Sequence, residues 1–208
     1  MLKRIIFIIL IAAVGYHFLY QSPEPVDVSG IPELKFSYSD SLNIDAPPIQ
    51  NKLDGSVRPI NHGEYRITPL ASFQVAARVL SVKHYSFGRE SSLSPVDLAL
   101  GWGPMSKDEV LNTLDISQSN RFYFWHTDNF IIPRRKIETN SANMHFIPAT
   151  TEVEKKLKHI NKDDRIRFKG YLVRIDADDG WHWVSSQTRN DTGDGACEVI
   201  LVDDIKLL

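Results

Sequence analysis

In the stretch 64–82, Tyr65 and Ile67, then Phe73, Val75, Ala77 and Val79, alternate with polar or small residues. That is the two-residue period of a strand with one buried face, so one or two strands are expected there. The signal returns further on. RFYFWH at 121–126 is too short and too aromatic for a helix, and NMHFIP at 143–148 reads as another strand. Three β segments then follow at 165–175, 181–186 and 197–205, separated by turns that carry Asp-Gly or glycine. Gly170 interrupts the first of them, RIRFKGYLVRID, as a glycine does in a long strand that turns a barrel corner.

Helical signals are fewer and shorter. Ser94-Pro95-Val96-Asp97 sets a capping side chain before a proline at the first helical position and predicts a helix ending near Gly101. Ser106-Lys107-Asp108-Glu109 predicts a second, running to about Leu114. Thr151-Glu152-Val153-Glu154 opens a third, with Val153, Leu157 and Ile160 on one face and Lys155, Lys156 and Lys158 on the other. Strands outnumber helices and do not alternate with them. The expected class is therefore α+β and β-rich: an antiparallel curled sheet, or a small OB-like or SH3-like barrel, with about three short helices behind an N-terminal transmembrane helix.

Three regions follow from composition. Residues 5–16, IIFIILIAAVGY, carry no charge, and the apolar run continues through Phe18, Leu19 and Tyr20. Sixteen helical residues span about 24 Å, a little under the hydrocarbon thickness, which Leu2, Lys3, Arg4 and the aromatic collar of Tyr16, Phe18 and Tyr20 extend. Residues 1–20 are thus expected to be a membrane anchor, or a signal peptide cleaved at Ala13-Val14-Gly15, with the lipid bilayer as partner of residues 4–20. Residues 21–60 hold six prolines among Ser, Asp and Asn and read as a polar spacer. Residues 61–208 are left as a β-rich domain large enough to bury a core.

The net charge of −2 divides unevenly. Lys3 and Arg4 precede the apolar run, whereas Glu24 and Asp27 are the first charges after it, so the positive-inside rule leaves the N-terminus in the cytoplasm and the domain outside it. Residues 21–60 carry −3 and residues 61–208 carry −1, which gives no electrostatic footprint for nucleic acid. Within the domain, residues 155–174 are basic and residues 176–204 acidic, the pattern of neighbouring elements that neutralise each other.

Chemistry-bearing residues are sparse. The seven histidines include no pair at metal-ligand spacing, and a single cysteine excludes both an internal disulfide and a multi-thiolate zinc site. The acidic turns 176–180 and 190–195 lack the ligand spacing of a calcium loop, and no phosphate loop, dinucleotide fingerprint or Gly-x-Ser-x-Gly elbow occurs. No cofactor and no metal are expected. Cys197 would need a histidine to act as a nucleophile, with His126, His145 and His182 as candidate partners; a small core residue is the other reading of it.

Four stretches are too particular for a generic scaffold: LSPVDLALGWGPMS (93–106), PRRKIETNSANMHFIPA (133–149), GWHWVSS (180–186) and TRNDTGDGACE (188–198). Together they resemble a group of uncharacterised bacterial single-pass membrane-anchored proteins to which no activity is assigned. The resemblance implies a bacterial inner membrane, a periplasmic single domain and no particular catalytic residue. Candidate binding residues in and around these stretches are Trp102, flanked by glycines, whose other reading is a core residue; Arg134, Arg135 and Lys136, the densest cationic point of the domain, whose other reading is a solvated turn; and Trp181, Trp183 and Arg189, where donors beside a tryptophan pair would suit a sugar or peptide. The expected function is a binding or assembly module of the cell envelope, with an envelope protein or cell-wall partner. Two alternatives stand beside it: an envelope enzyme using Cys197 with a histidine, and an OB-like nucleic-acid binder using Arg134 to Lys136 with Phe122 to Trp125.

Overall fold

The computed structural model describes residues 24–26, 28, 31, 35–55, 57–188 and 196–208. The segment 1–20 lies outside these residues; among the described ones no helix is long and apolar enough to cross a membrane. The strands are β1 (Ile49–Lys52), β2 (Ile60–His62), β3 (Tyr65–His84), β4 (Val96–Gly101), β5 (Asp115–Ser119), β6 (Phe122–His126), β7 (Ser141–Pro148), β8 (Arg165–Ala177), β9 (His182–Val184) and β10 (Glu198–Leu207). Among the described residues three short α-helices accompany them: α1 (Asp108–Leu111), α2 (Arg134–Thr139) and α3 (Thr151–Lys158).

The long alternation yields one 20-residue strand, β3, whose first two-thirds pair with β8 and whose last third pairs with β4. From there the pairing continues β4 to β7, β7 to β10 and β10 back to β8, so the curled sheet closes on itself. These pairings are antiparallel except β7 with β10, which run parallel because α3 carries the chain across from β7 before β8. The stretch of β3 that β4 does not reach is covered by β1 and β2.

The alternating residues fill the inside: Phe73, Val75, Leu98, Leu100, Phe146, Phe168 and Ile200 pack together, and Val153 and Leu157 of α3 join them. Phe168 stacks on Phe73 at 5.9 Å and meets Phe146 edge-on at 4.9 Å. Gly170 makes this closure feasible. A Cβ there would sit 2.2 Å from the Leu201 carbonyl oxygen, so only a residue without one lets β10 come this close to β8.

Outside the ring lie two further apolar clusters. One, with Ile147, Tyr171, Val173, Val199 and Leu201, is covered by Val26, Val28 and Val57. Residues read as spacer therefore lie against the domain: Val26 is 1% exposed and its amide donates to the Pro148 carbonyl, and β1 is part of the sheet. The composition of 21–60 conceals this because scattered single valines carry no period. The other outer cluster joins Leu80, Ala99, Met105, Val110 and Ile137 beneath the β5–β6 hairpin.

The helix expected from Ser94 to Gly101 is instead β4. Val96, Leu98 and Leu100 face the interior, the strand is paired on both edges, and Ser94 donates its hydroxyl to the Val96 carbonyl rather than capping an amide. Pairing on both edges outweighs a four-residue capping signal. The cationic segment at 134–136, read as a turn, begins α2 immediately after Pro133, and β5 carries only Ile116 as an aliphatic residue, too little for a strand signal.

Candidate functional site

Cross-strand register sets the site. On the outer face of the ring, Asp97 of β4 lies opposite His145 of β7, and His145 lies opposite Val199 of β10. Ala99 belongs to one outer apolar cluster and Ile147 and Val199 to the other. Between them the wall turns polar, with Asp97, Asn143 and His145 at 0%, 4% and 3% exposure. Polar side chains this deeply buried require partners.

The partners come from the β5–β6 hairpin. Its turn consists of Asn120 and Arg121, both with positive φ (51° and 68°), the conformation of a two-residue hairpin turn whose twist matches the strands. An arginine in the left-handed region costs roughly 1–2 kcal/mol. The cost is offset by where the turn sends the side chain. Nη1 of Arg121 donates to Asp97 Oδ1 at 2.7 Å and to the Ser94 carbonyl at 2.9 Å, and the guanidinium lies 3.8 Å from the Tyr85 ring centre and 5.8 Å from that of Trp183. The Arg121 amide donates to the Tyr85 hydroxyl, and burial raises the Tyr85 pKa, with the Asp97 charge adding to the rise.

His145 Nδ1 stands 3.0 Å from Asp97 Oδ1 but off the line a hydrogen bond needs. Three buried atoms, His145 Nδ1, Asp97 Oδ2 and Arg121 Nη2, consequently have no hydrogen-bond partner among the described residues. Trp183 of β9 covers the imidazole, ring centres 4.8 Å apart. Gln118 donates to the Asn143 side-chain oxygen at 2.6 Å. Asn143 in turn donates to the Arg121 carbonyl at 2.8 Å and approaches the Cys197 sulfur at 3.9 Å. Cys197 precedes β10, and its thiol points at the same Arg121 carbonyl from 3.8 Å.

These residues surround a pocket of about 330 Å³. Arg121, His145 and Cys197 supply its chemistry, Phe122, Trp183 and Val184 its apolar wall, and His182 stands on its exposed side. A larger groove of about 520 Å³ lies between α3 and the ends of β8 and β10, lined by Ile160, Ile166 and Ile205. Its rim lysines Lys156 and Lys206 are paired with Asp204, and no buried polar group converges on it. Of the two, the smaller pocket is therefore the candidate site, because it joins an apolar wall to buried polar side chains.

Of the residues singled out from sequence, Cys197, His145, His182 and Trp183 meet in this pocket. Trp181 stands aside, against Tyr65 and under Arg89. Trp102, at 1% exposure, fills the interior of the ring. Arg134 and Arg135 are paired with Glu138 within α2, which also carries Lys136. Arg189 lies outside the described residues. The turn at 176–180 joins β8 to β9, and among the described residues no cluster of His, Cys, Asp or Glu is arranged to hold a metal. Sequence reasoning missed Asp97, Arg121 and Asn143. Asp97 was absorbed into a helix signal, and the one clue to Arg121 was the asparagine before it, which favours a positive-φ turn once β5 is recognised. No family model, no curated protein and no solved structure matches the chain.

Proposed function

We propose that residues 61–208 form an OB-like barrel that binds a sugar- or peptide-bearing ligand of the cell envelope in the Trp183 pocket. The order of strands around the ring supports the fold reading. Taking β3, β4, β7, β8 and β10 as first to fifth, they follow one another as first, second, third, fifth and fourth. The third and fifth are parallel, and a helix lies between the third and fourth. The position of the pocket carries the functional reading. It lies on the third strand (His145), between the β5–β6 hairpin (Arg121, Phe122) and the connection that precedes the fifth strand (His182 to Val184, Cys197). Arg121 reaches Tyr85 and Ser94 of the connection that follows the first strand; this is the side on which OB barrels take their ligands.

Charge narrows the ligand class. Asp97 neutralises Arg121 at 2.7 Å, so the pocket offers directed donors and an indole face rather than a net positive field. That combination suits a neutral polar group with a flat or CH-rich face, such as a sugar ring or a peptide backbone, better than a phosphate chain. Pairing of Arg134 and Arg135 with Glu138 likewise weakens the nucleic-acid alternative. Placement outside the cytoplasm, tethered by residues 4–20 to a bacterial inner membrane, rests on the apolar run, its flanking charges and the likeness of the four stretches to membrane-anchored proteins.

Titration of the full chain in detergent micelles with soluble cell-wall fragments, glycan strands bearing peptide stems, should change its tryptophan fluorescence saturably. Trp183→Ala is expected to weaken binding about tenfold, equivalent to ~1.4 kcal/mol, while its circular dichroism at the assay temperature stays that of the folded parent. Equal affinity in the variant, or no saturable binding by the parent, refutes the reading.

A further inference from the structure

Cys197 is the single thiol of the chain, and it lines the pocket together with a histidine that is 97% removed from solvent and backed by a fully buried carboxylate. The parallel register of β7 with β10 is responsible. Glu198 pairs with Met144 and Val199 with His145, so Cys197, one residue earlier, comes beside Asn143, two residues from His145 on the same outer face. The antiparallel register of β4 with β7 brings Asp97 to the far side of the same imidazole.

Each group has one task open to it. Asp97 Oδ1 lies 3.0 Å from His145 Nδ1, so Nδ1 faces the carboxylate and Nε2 is the nitrogen left for the pocket. The Asn143 amide, 3.9 Å from the sulfur, favours negative charge on it, while the Arg121 carbonyl, 3.8 Å away, accepts the thiol proton at rest. Trp183 closes over the imidazole and restricts water there. A thiol and a buried imidazole on one apolar-walled pocket are the groups that nucleophilic acyl transfer requires.

We propose that Cys197 is a thiol nucleophile acting on an ester or amide carbonyl of the ligand, with His145 as general base and Asp97 as the residue that positions it. This rests on the reading of the pocket as a ligand site. His145 Nε2 takes the thiol proton as the sulfur attacks the carbonyl carbon. The new C–S bond replaces the bond to the leaving alcohol or amine, which departs with the proton from His145. A thioester on Cys197 remains, and water or an acceptor amine releases the acyl group by the same steps in reverse order.

The test uses p-nitrophenyl acetate with the full chain in micelles. Expected are a burst of p-nitrophenolate equal to the protein present and one acetyl group on the peptide containing Cys197, formed at least about tenfold faster than on N-acetylcysteine at the same pH. Cys197→Ala removes the adduct. His145→Gln slows acylation about 100-fold, and Asp97→Asn lowers the maximal rate while the half-saturating probe concentration stays unchanged. Acylation no faster than that of N-acetylcysteine overturns the proposal. So does equal acylation of the histidine variant. Should that variant not fold, the rate of iodoacetamide capture by the parent chain, against the same free thiol, decides alone. Cell-wall binding by the parent chain separates the two readings: saturable binding with an unreactive thiol removes only the nucleophile, and absent binding removes the pocket assignment itself.

Discussion

Replacing Arg121 by alanine tests whether the polar wall is one coupled unit. Asp97 is fully buried, and Arg121, 17% exposed, is its cationic partner at 2.7 Å. Removing one member of a buried ion pair costs about 3–5 kcal/mol, chiefly because the other charge is left uncompensated. Residual exposure of the guanidinium places the value toward the lower end, while the lost bond to the Ser94 carbonyl and the lost contact with Tyr85 each add about 0.5–1 kcal/mol. A loss of about 3–4 kcal/mol is expected, or a fall in melting temperature of roughly 10 °C for a domain of this size. Urea unfolding of the full chain in micelles should show a lower midpoint with an unchanged slope. Arg121→Gly should recover about 1 kcal/mol relative to alanine, since φ of 68° no longer strains the turn. In the Arg121→Ala background, Asp97→Asn should be stabilising, with a coupling of about 2 kcal/mol between the two sites. A loss below about 1 kcal/mol, or single effects that simply add, would refute the coupled-wall reasoning.

Three further outcomes are expected. Gly170→Ala forces a Cβ to within 2.2 Å of the Leu201 carbonyl and should cost about 2–3 kcal/mol in thermal unfolding; an unchanged melting temperature would mean that β10 is not held so close. Burial pushes the Tyr123 phenol from near 10 up to about 12, a rise its bond with Ser141 partly opposes. Between pH 10 and 12 the unfolded chain therefore loses a proton that the folded chain keeps, and stability falls with rising pH by about 1.4 kcal/mol per unit; Tyr123→Phe should flatten the curve by that amount over that window and leave it unaltered below pH 9. A reporter enzyme active only outside the cytoplasm, fused after Leu208, should be active in cells, and an inactive but intact fusion would overturn the orientation drawn from Lys3 and Arg4.

The sequence by itself determined the class of fold, because strand period is a local property that survives without neighbours. The alternation after Tyr65, the aromatic run at 121–126, the glycine inside 165–175 and the Asp-Gly turn before 181 all correspond to observed elements. It also singled out Cys197, His145, His182 and Trp183, since rare residue types are visible one at a time. Their assembly into a site was not legible. His145, Asp97 and Cys197 are separated by dozens of residues and meet only through two registers, one antiparallel and one parallel, which depend on how the ring closes. Tertiary structure alone likewise made β4 a strand against its capping signal. It also fixed Arg121 in a left-handed turn whose strain is offset by a carboxylate on another strand. Local propensities amount to tenths of a kcal/mol per residue, whereas pairing on two edges and burial on two faces contribute several.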